Sequence, residues 1–482
     1  MTRPIEGRAR WPALILLCLG ELMIVLDTTI VNVALPSIRA DLGFTETSLV
    51  WVVNAYMLTF GGCLLLGGRL GDLYGHRRLF LAGITLFTLA SLACGLAHTQ
   101  GLLVAARAVQ GVGGAVVSAV ALSLIMNLFT EPGERARAMG VYGFVCAGGG
   151  SIGVLLGGLL TSLLTWHWIF LVNIPVGAAI YAACLVLLPG GSGQRPARGG
   201  ARLDVAGAVT VTAALMLAVY AIVGGNAAGW TSPQSLSLLG ASAALLAAFG
   251  VIESRVAAPL VPLALLRLRN LAISNVVGVL WAAGMFAWFF LSALYLQRVL
   301  GFDALQVGLA FLPSNLIMAG CSLGLSAWVV LRFGIRSTLG WGLVLATVGL
   351  ALFALAPVEG RFAPHVLPGM VLLGVGAGIA LNPLLLAAMG DVKPEDSGLA
   401  SGVVNTAFMM GGALGLAILA SLADARTQAL HAAGMPAPAA LHGGYQLAFW
   451  VAAAGSQAAA VLGGLVLRPA APPAAGVQGA HA

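Results

Sequence analysis

The chain has 482 residues, 60% of them hydrophobic and 8% charged, with a mean hydropathy of +1.00. Soluble globular chains carry about 25% charged residues, so this composition excludes a water-soluble fold. The formal net charge of +7 would suit a nucleic-acid partner only if it were gathered on one surface; its distribution along the chain follows membrane orientation instead.

The opening MTRPIEGRARWPALILLCLG pairs a basic start with an apolar run, as a secretory signal does. The run is longer than the usual ~7–15 residues and further apolar windows follow, so it reads as an uncleaved first span. Windows of about 20 apolar residues lie at 12–35, 48–69, 79–98, 102–127, 137–161, 167–188, 205–225, 236–253, 271–297, 304–331, 338–357, 364–389, 398–421 and 443–467, fourteen in all. Each can cross a hydrocarbon layer of ~30 Å as a helix. An even number puts both termini on one side. With the N-terminus inside, 18 of the 23 Lys and Arg fall on cytoplasmic loops or tails. Arg39, Arg298, Arg361 and Arg426 face out, and Arg107 lies within a span. Both ends are therefore expected in the cytoplasm.

An internal repeat organises these windows. YGHRRLF (74–80) is echoed by FGIRSTL (333–339), and EPGERARAMG (131–140) by KPEDSGLASG (393–402). An offset of 262 also carries Gly149, Gly150 and Gly153 onto Gly411, Gly412 and Gly415. Two six-helix halves related in parallel, as in duplicated transporters, account for this, with two extra spans between them. The expected domains are an N-terminal six-helix bundle (1–190), a cytoplasmic linker (191–203), two inserted helices (204–256), a C-terminal six-helix bundle (257–467) and a disordered cytoplasmic tail (468–482). The linker and tail follow from their Gly, Pro and Arg content.

Charge inside the spans singles out candidate residues. An aspartate at mid-helix costs about 2.5–3.5 kcal/mol in lipid, so Asp27 must be shielded, paired or used. Arg107 is the one basic residue within a span. Opposite charges that are costly apart become tolerable as a pair, so the two are predicted to meet. As a proton carrier, Asp27 would load and release a proton as its distance from Arg107 changes; the alternative is a permanent ion pair that locks helices one and four. Glu21, Thr28 and Asn32 share a different stripe of span one, suited to a water-filled substrate cavity. Glu21 would attract cationic substrates there, or serve as a second protonation site, or remain a neutral hydrogen-bonded acid. Glu253, beside Arg255, reads as interfacial. Gly149, Gly153 and Gly157 recur every four residues and make one smooth packing face. Trp51, Trp166, Trp168 and Trp230 read as interfacial anchors, and the aromatics of WAAGMFAWFF (281–290) as facing lipid in preference to lining a drug cavity. The six Cys fall one per apolar segment without CxxC or neighbouring His, as small core residues do. No cofactor and no metal site is expected.

These stretches resemble the fourteen-span drug:proton antiporter branch of the major facilitator superfamily over nearly the whole chain. LDTTIVNVALPSI (26–38) matches its first-helix signature. GRLGDLYGHRR (68–78) is similar to the superfamily's cytoplasmic loop motif through Gly68, Leu70, Asp72, Gly75, Arg77 and Arg78, with Leu73 and His76 at usually basic positions. RAVQG (107–111) resembles the fourth-helix motif, here Arg107, Gln110 and Gly111. The fifth-helix antiporter pattern is present as Gly140, Gly149, Gly153, Gly157 and Gly158, with Val154 where Pro is usual. WHWIF (166–170) has His167 in place of Arg.

The resemblance implies an all-α membrane protein of the major facilitator fold with 14 transmembrane helices (6 + 2 + 6). It implies a bacterial inner-membrane exporter that exchanges protons for hydrophobic, cationic drugs or antibiotics by alternating access. It also implies that Asp72 with Arg77 and Arg78 latches the two bundles, and that the fifth-helix glycines prevent leak. The implied partners are small hydrophobic substrates, protons and the lipid bilayer, with no nucleic acid, and the chain acts as a monomer. Each proton moved down 100 mV supplies about 2.3 kcal/mol, enough for a gradient of roughly 50-fold. Alternatives are a dedicated exporter of one endogenous metabolite (an antibiotic, siderophore or lipid precursor) and an importer. A membrane enzyme would need a His or carboxylate cluster at helix depth, whereas the seven His lie at loops, span edges or the tail.

Overall fold

The structure is a computed structural model and describes residues 10–45, 47–129, 131–187, 204–256, 259–261, 263–393 and 397–467. It is all-helical, with no strand among the described residues. In chain order the helices are α1 (Arg10–Leu42), α2 (Val50–Tyr74), α3 (His76–Gly95), α4 (Gln100–Leu128), α5 (Pro132–Leu163), α6 (Trp168–Leu171), α7 (Asn173–Leu187), α8 (Val205–Ala228) and α9 (Pro233–Arg255). They continue as α10 (Leu263–Leu266), α11 (Arg269–Arg298), α12 (Ala304–Gly320), α13 (Ser326–Leu355), α14 (Leu367–Met389), α15 (Ser397–Ala432) and α16 (Ala437–Val461). The linker at 191–203 and the tail at 468–482 lie outside the described residues.

Among the described residues, twelve segments are long and apolar enough to cross a membrane. Closure of every backbone hydrogen bond within the helix is what permits this in lipid. One of the twelve, Ala304–Leu355, is 52 residues long, or about 78 Å as a straight helix, more than twice the thickness of the hydrocarbon. It does not run straight. At Gly334 the backbone takes φ +80°, a left-handed conformation that glycine adopts without steric cost. Residues on either side of this turn pack against one level of α14: Met318 O meets Gly378, and Gly342 meets Gly376 O. Gly75, between α2 and α3, has φ +92° and lies at the repeat-related position, so the same turn recurs in both halves. α5 is 32 residues long, and among the described residues it holds the shorter apolar stretch Ile152–Leu163.

Polar caps mark several helix starts. Asp303 and Gln306 form a reciprocal capping box on α12, and Thr99, Asp204 and Ser232 each accept a backbone N–H at the heads of α4, α8 and α9. These bonds satisfy donors that a helix start leaves open.

The two halves meet through polar contacts at one end. Gln297 Nε2 donates to Val33 O at 2.9 Å, and Leu305 N to Ser162 Oγ at 3.1 Å. A methyl added at Gly158 of α5 would lie 2.7 Å from Ala304 O. Asn54 of α2 donates to Ala413 O of α15 at 2.8 Å. The contact between α2 and α15 continues further along both helices: a methyl added at Gly61 would lie 3.2 Å from Met409 and Met410, and one at Gly402 would lie 2.3 Å from Leu65 Cδ2. The inserted helix α8 leans on both halves. Thr212 packs on Gly62 of α2, while Asn226 Nδ2 donates to Ser421 O (2.8 Å) and Asp424 Oδ2 (3.2 Å) of α15.

Three sequence expectations do not hold. Trp281 and Trp288 of α11 are 3% exposed and Phe290 is 1% exposed, so they do not face lipid. Trp288 packs on Phe311 and Phe353 with ring centroids 5.5 and 6.0 Å apart. Lipid is as apolar as a helix interior, so van der Waals packing, not hydropathy, decides which face turns inward. Trp166 is buried too, with Nε1 donating to Asp41 Oδ2 at 2.9 Å, and is no interfacial anchor. Glu253 is not interfacial; it is 3% exposed.

Candidate functional site

Span one is apolar on nearly every side, so its one aspartate settles where several helices can serve it. Asp27 and Arg107 are both 1% exposed. Arg107 Nη1 of α4 donates to Asp27 Oδ2 of α1 at 2.5 Å. Asp27 Oδ1 accepts from Gln110 Nε2 at 2.7 Å and from Asn173 Nδ2 of α7 at 3.1 Å. Gln110, one helical turn from Arg107, accepts from Arg107 Nη1 through Oε1 at 2.7 Å and donates to Ser91 Oγ of α3 at 2.8 Å. Ser91 in turn donates to Phe87 O at 2.8 Å. Arg107 Nε donates to Val52 O of α2 at 2.9 Å, and its guanidinium lies 4.4 Å from the centroid of the Tyr56 ring.

Five helices thus converge on one ion pair, and both charges are surrounded by fixed dipoles. A buried pair is tolerated when additional hydrogen bonds satisfy its remaining lone pairs and protons. The network is also closed: both oxygens of the Asp27 carboxylate accept from donors on α4 and α7.

Glu21, about two turns earlier on α1, is 7% exposed. Both its carboxyl oxygens lie within reach of Ser118 Oγ of α4, at 2.8 and 2.7 Å, and Tyr142 of α5 is hydrogen-bonded to it. Thr28 Oγ1 donates to Ile24 O at 2.9 Å. Asn32 Nδ2 reaches Thr28 O and Thr29 O, both at 3.4 Å. Thr28 and Asn32 therefore engage their own helix, whereas Glu21 engages α4 and α5.

The fifth-helix glycines form a track for α1. Gly149 packs on Leu22 and Val25, Gly153 on Leu26 and Thr29, and Gly157 on Ile30, while Gly158 turns to α12. Val154 is buried beside Gly308. Gly140 lies on α5, and its surroundings fall outside the described residues. Gly111 packs against Tyr56 and Thr59 of α2. In the loop motif, Gly68 has open space around it and Gly75 makes the turn. Arg77 Nη2 donates to Leu185 O of α7 at 3.2 Å, and Arg78 is exposed. The Asp72 side chain lies outside the described residues.

In the other half, Trp281, Met285, Trp288, Phe289, Ser314 and Met318 border a small aromatic cavity. Trp288 Nε1 is buried without a hydrogen-bond partner. At the end where the halves touch, His167 stacks on Trp166 and neighbours His98. Desolvation pushes the His167 imidazole below its usual range, with His98 adding to the shift and Asp41 opposing it.

Asn173, Ser91, Ser118 and Tyr142 did not emerge from the sequence as site residues. The available signal was polarity within an apolar window, and it is weak, because a lone Ser or Asn can satisfy itself on its own helix.

The sequence profile of the Major Facilitator Superfamily matches residues 17–416. The puromycin resistance protein pur8 of Streptomyces alboniger is 40% identical over 448 residues, 91% of this chain and 88% of its own. The cephamycin export protein CmcT of Amycolatopsis lactamdurans is 40% identical, covering 90% of this chain and 88% of its own. The lincomycin resistance protein of Streptomyces lincolnensis is 37% identical, covering 86% and 85%. Among solved structures, a bacterial homolog of the human lysosomal transporter Spinster, in an inward-facing and unoccupied conformation, superposes with a TM-score of 0.66 at 17% identity over 95% of this chain and 97% of that one.

Proposed function

Because the chain belongs to the Major Facilitator Superfamily, a family of transporters, we propose that it exports hydrophobic, cationic drugs or antibiotics in exchange for protons across the bacterial inner membrane. The observation that carries this reading is the Asp27–Arg107 pair, held on five helices with no solvent contact. An acid so placed exchanges its proton only when helices move, which is the coupling an antiporter needs. Relatives named for antibiotic resistance or export support the direction of transport.

In this reading the span count is fourteen. The limbs of Ala304–Leu355 on either side of Gly334 are two spans, and α5 is a further one. The positive-inside distribution puts both termini in the cytoplasm. Glu21, Thr28 and Asn32 border the substrate path, and Glu21 offers the charge a cation seeks. A second reading, a dedicated exporter of one antibiotic, is favoured by the name of the cephamycin export protein.

The test uses everted vesicles energised by respiration, with a fluorescent pH probe and added lipophilic cations. Wild type should show dequenching on cation addition, and Asp27→Asn should not. Equal responses in both would make Asp27 a structural lock and move the proton site to Glu21. No response to any cation in wild type would overturn the multidrug reading in favour of a dedicated substrate.

A further inference from the structure

Ser91 of α3 is fully buried, and its hydroxyl reaches the Asp27–Arg107 pair through two amides. The hydroxyl proton goes to Phe87 O, one turn back on the same helix, at 2.8 Å. A serine inside a helix can bond its own backbone in this way, and what it then offers to others is two lone pairs. Both are taken: Gln110 Nε2 donates to Ser91 Oγ at 2.8 Å and Asn173 Nδ2 at 3.4 Å. The same two nitrogens donate to Asp27 Oδ1, at 2.7 and 3.1 Å. Each amide therefore divides its two hydrogens between the carboxylate and the serine.

A side-chain amide shows a carbonyl on one side and an NH2 on the other, and a half-turn exchanges them. With its proton committed to Phe87 O, Ser91 accepts and does not donate, so only the NH2 sides can face it. The opposite side of Gln110 carries the complementary demand. Its Oε1 accepts from Arg107 Nη1 at 2.7 Å and from the thiol of Cys94, one turn along α3 from Ser91, at 3.6 Å. All four hydrogen-bonding positions of Gln110 are filled, and reversing the amide would break every one. Asp27 enforces this orientation only as a carboxylate, because a protonated acid could donate to an amide carbonyl instead. The demand from Ser91 is the same in both states of Asp27.

We propose that Ser91 is a positioning residue for Asp27: its acceptor-only hydroxyl keeps the N–H groups of Gln110 and Asn173 turned toward the carboxylate while protons load and leave. It acts through the two amides and ties α3 to a step carried by α1, α4 and α7. The consequence for transport rests on the proposed exchange of protons; the fixing of the amides does not.

The full chain in proteoliposomes tests it, with tetraphenylphosphonium as the exported cation and an imposed pH gradient as the drive. Ser91→Ala should lower kcat about tenfold, as the loss of one to two hydrogen bonds implies. KM should hold, because the partners of Ser91 are not the residues that border the substrate path. Ser91→Thr keeps the hydroxyl and should restore most of the rate. In a chain already carrying Gln110→Ala and Asn173→Ala, adding Ser91→Ala should lower the rate no further. A further fall in that background, or a raised KM at unchanged kcat, would overturn the proposal. If wild type moves no cation, the exchange reading fails for this probe, and melting temperature of the purified chain decides the positioning role alone. The triple variant should then melt no lower than the Gln110→Ala, Asn173→Ala double, and an additional loss equal to that of Ser91→Ala by itself would refute the role.

Discussion

Arg107→Leu and Asp27→Leu remove opposite ends of one ion pair, and the structure predicts that acid will rescue only the first. The pair is 2.5 Å long with side chains 1% and 0% exposed, and breaking such a pair from one side costs about 3–5 kcal/mol. In Arg107→Leu, Asp27 keeps Gln110 and Asn173, but both bond to Oδ1, so Oδ2 is left bare and charged. The stranded carboxyl can take up a proton. Its penalty then shrinks by up to about 1.4 kcal/mol for each pH unit of acidification while it titrates. In Asp27→Leu, Arg107 keeps Val52 O, Gln110 Oε1 and the Tyr56 ring, but a guanidinium cannot lose its proton. That penalty stays flat with pH. Replacing both ends by leucine removes both uncompensated charges, so the double variant should be less destabilised than the sum of the singles by roughly 2–3 kcal/mol. Thermal unfolding of the purified full chain in one detergent, at about pH 5 and about pH 8, reads all three variants. Equal pH responses in the two single variants, or strict additivity in the double, would refute the reasoning.

The glycine track on α5 and the histidine beside Trp166 give two further expectations. A methyl at Gly157 would lie 2.6 Å from Ile30 O, a backbone atom that cannot swing away, whereas one at Gly150 would lie 3.8 Å from Thr29 Cγ2. Gly157→Ala should therefore cost about 1–3 kcal/mol by overpacking, with Gly150→Ala near neutral in the same melting assay; equal losses would show that α1 and α5 are not held at this distance. For His167, whose imidazole lies below the usual range through desolvation, the folded state prefers the neutral ring. Its contribution is present above the ordinary histidine range and is lost as pH falls through it. Wild type should thus lose melting temperature on mild acidification more steeply than His167→Asn, and identical slopes would rule the residue out as the cause.

The all-helical, membrane-spanning character and the meeting of Asp27 with Arg107 were legible in the sequence for one reason. Lipid penalises a lone charge so heavily that a single Asp and a single Arg within spans have little choice but each other. The hairpin turn was legible too, since Gly75 and Gly334 occupy equivalent places in the repeat. The uncharged partners were not. Ser91 and Asn173 can satisfy themselves in many settings, so only the convergence of α3, α4 and α7 on Asp27 decides their role. The direction of the α11 aromatics was likewise beyond hydropathy, because lipid and bundle interior are equally apolar and only shape separates them. Glu253 shows the limit most plainly. Its neighbour in sequence, Arg255, suggested a charged helix end, yet its carboxylate accepts from Val261 N, eight residues on, in the segment that follows α9. A one-dimensional pattern records which groups lipid will not accept alone, and the packed helices decide which groups share the burden.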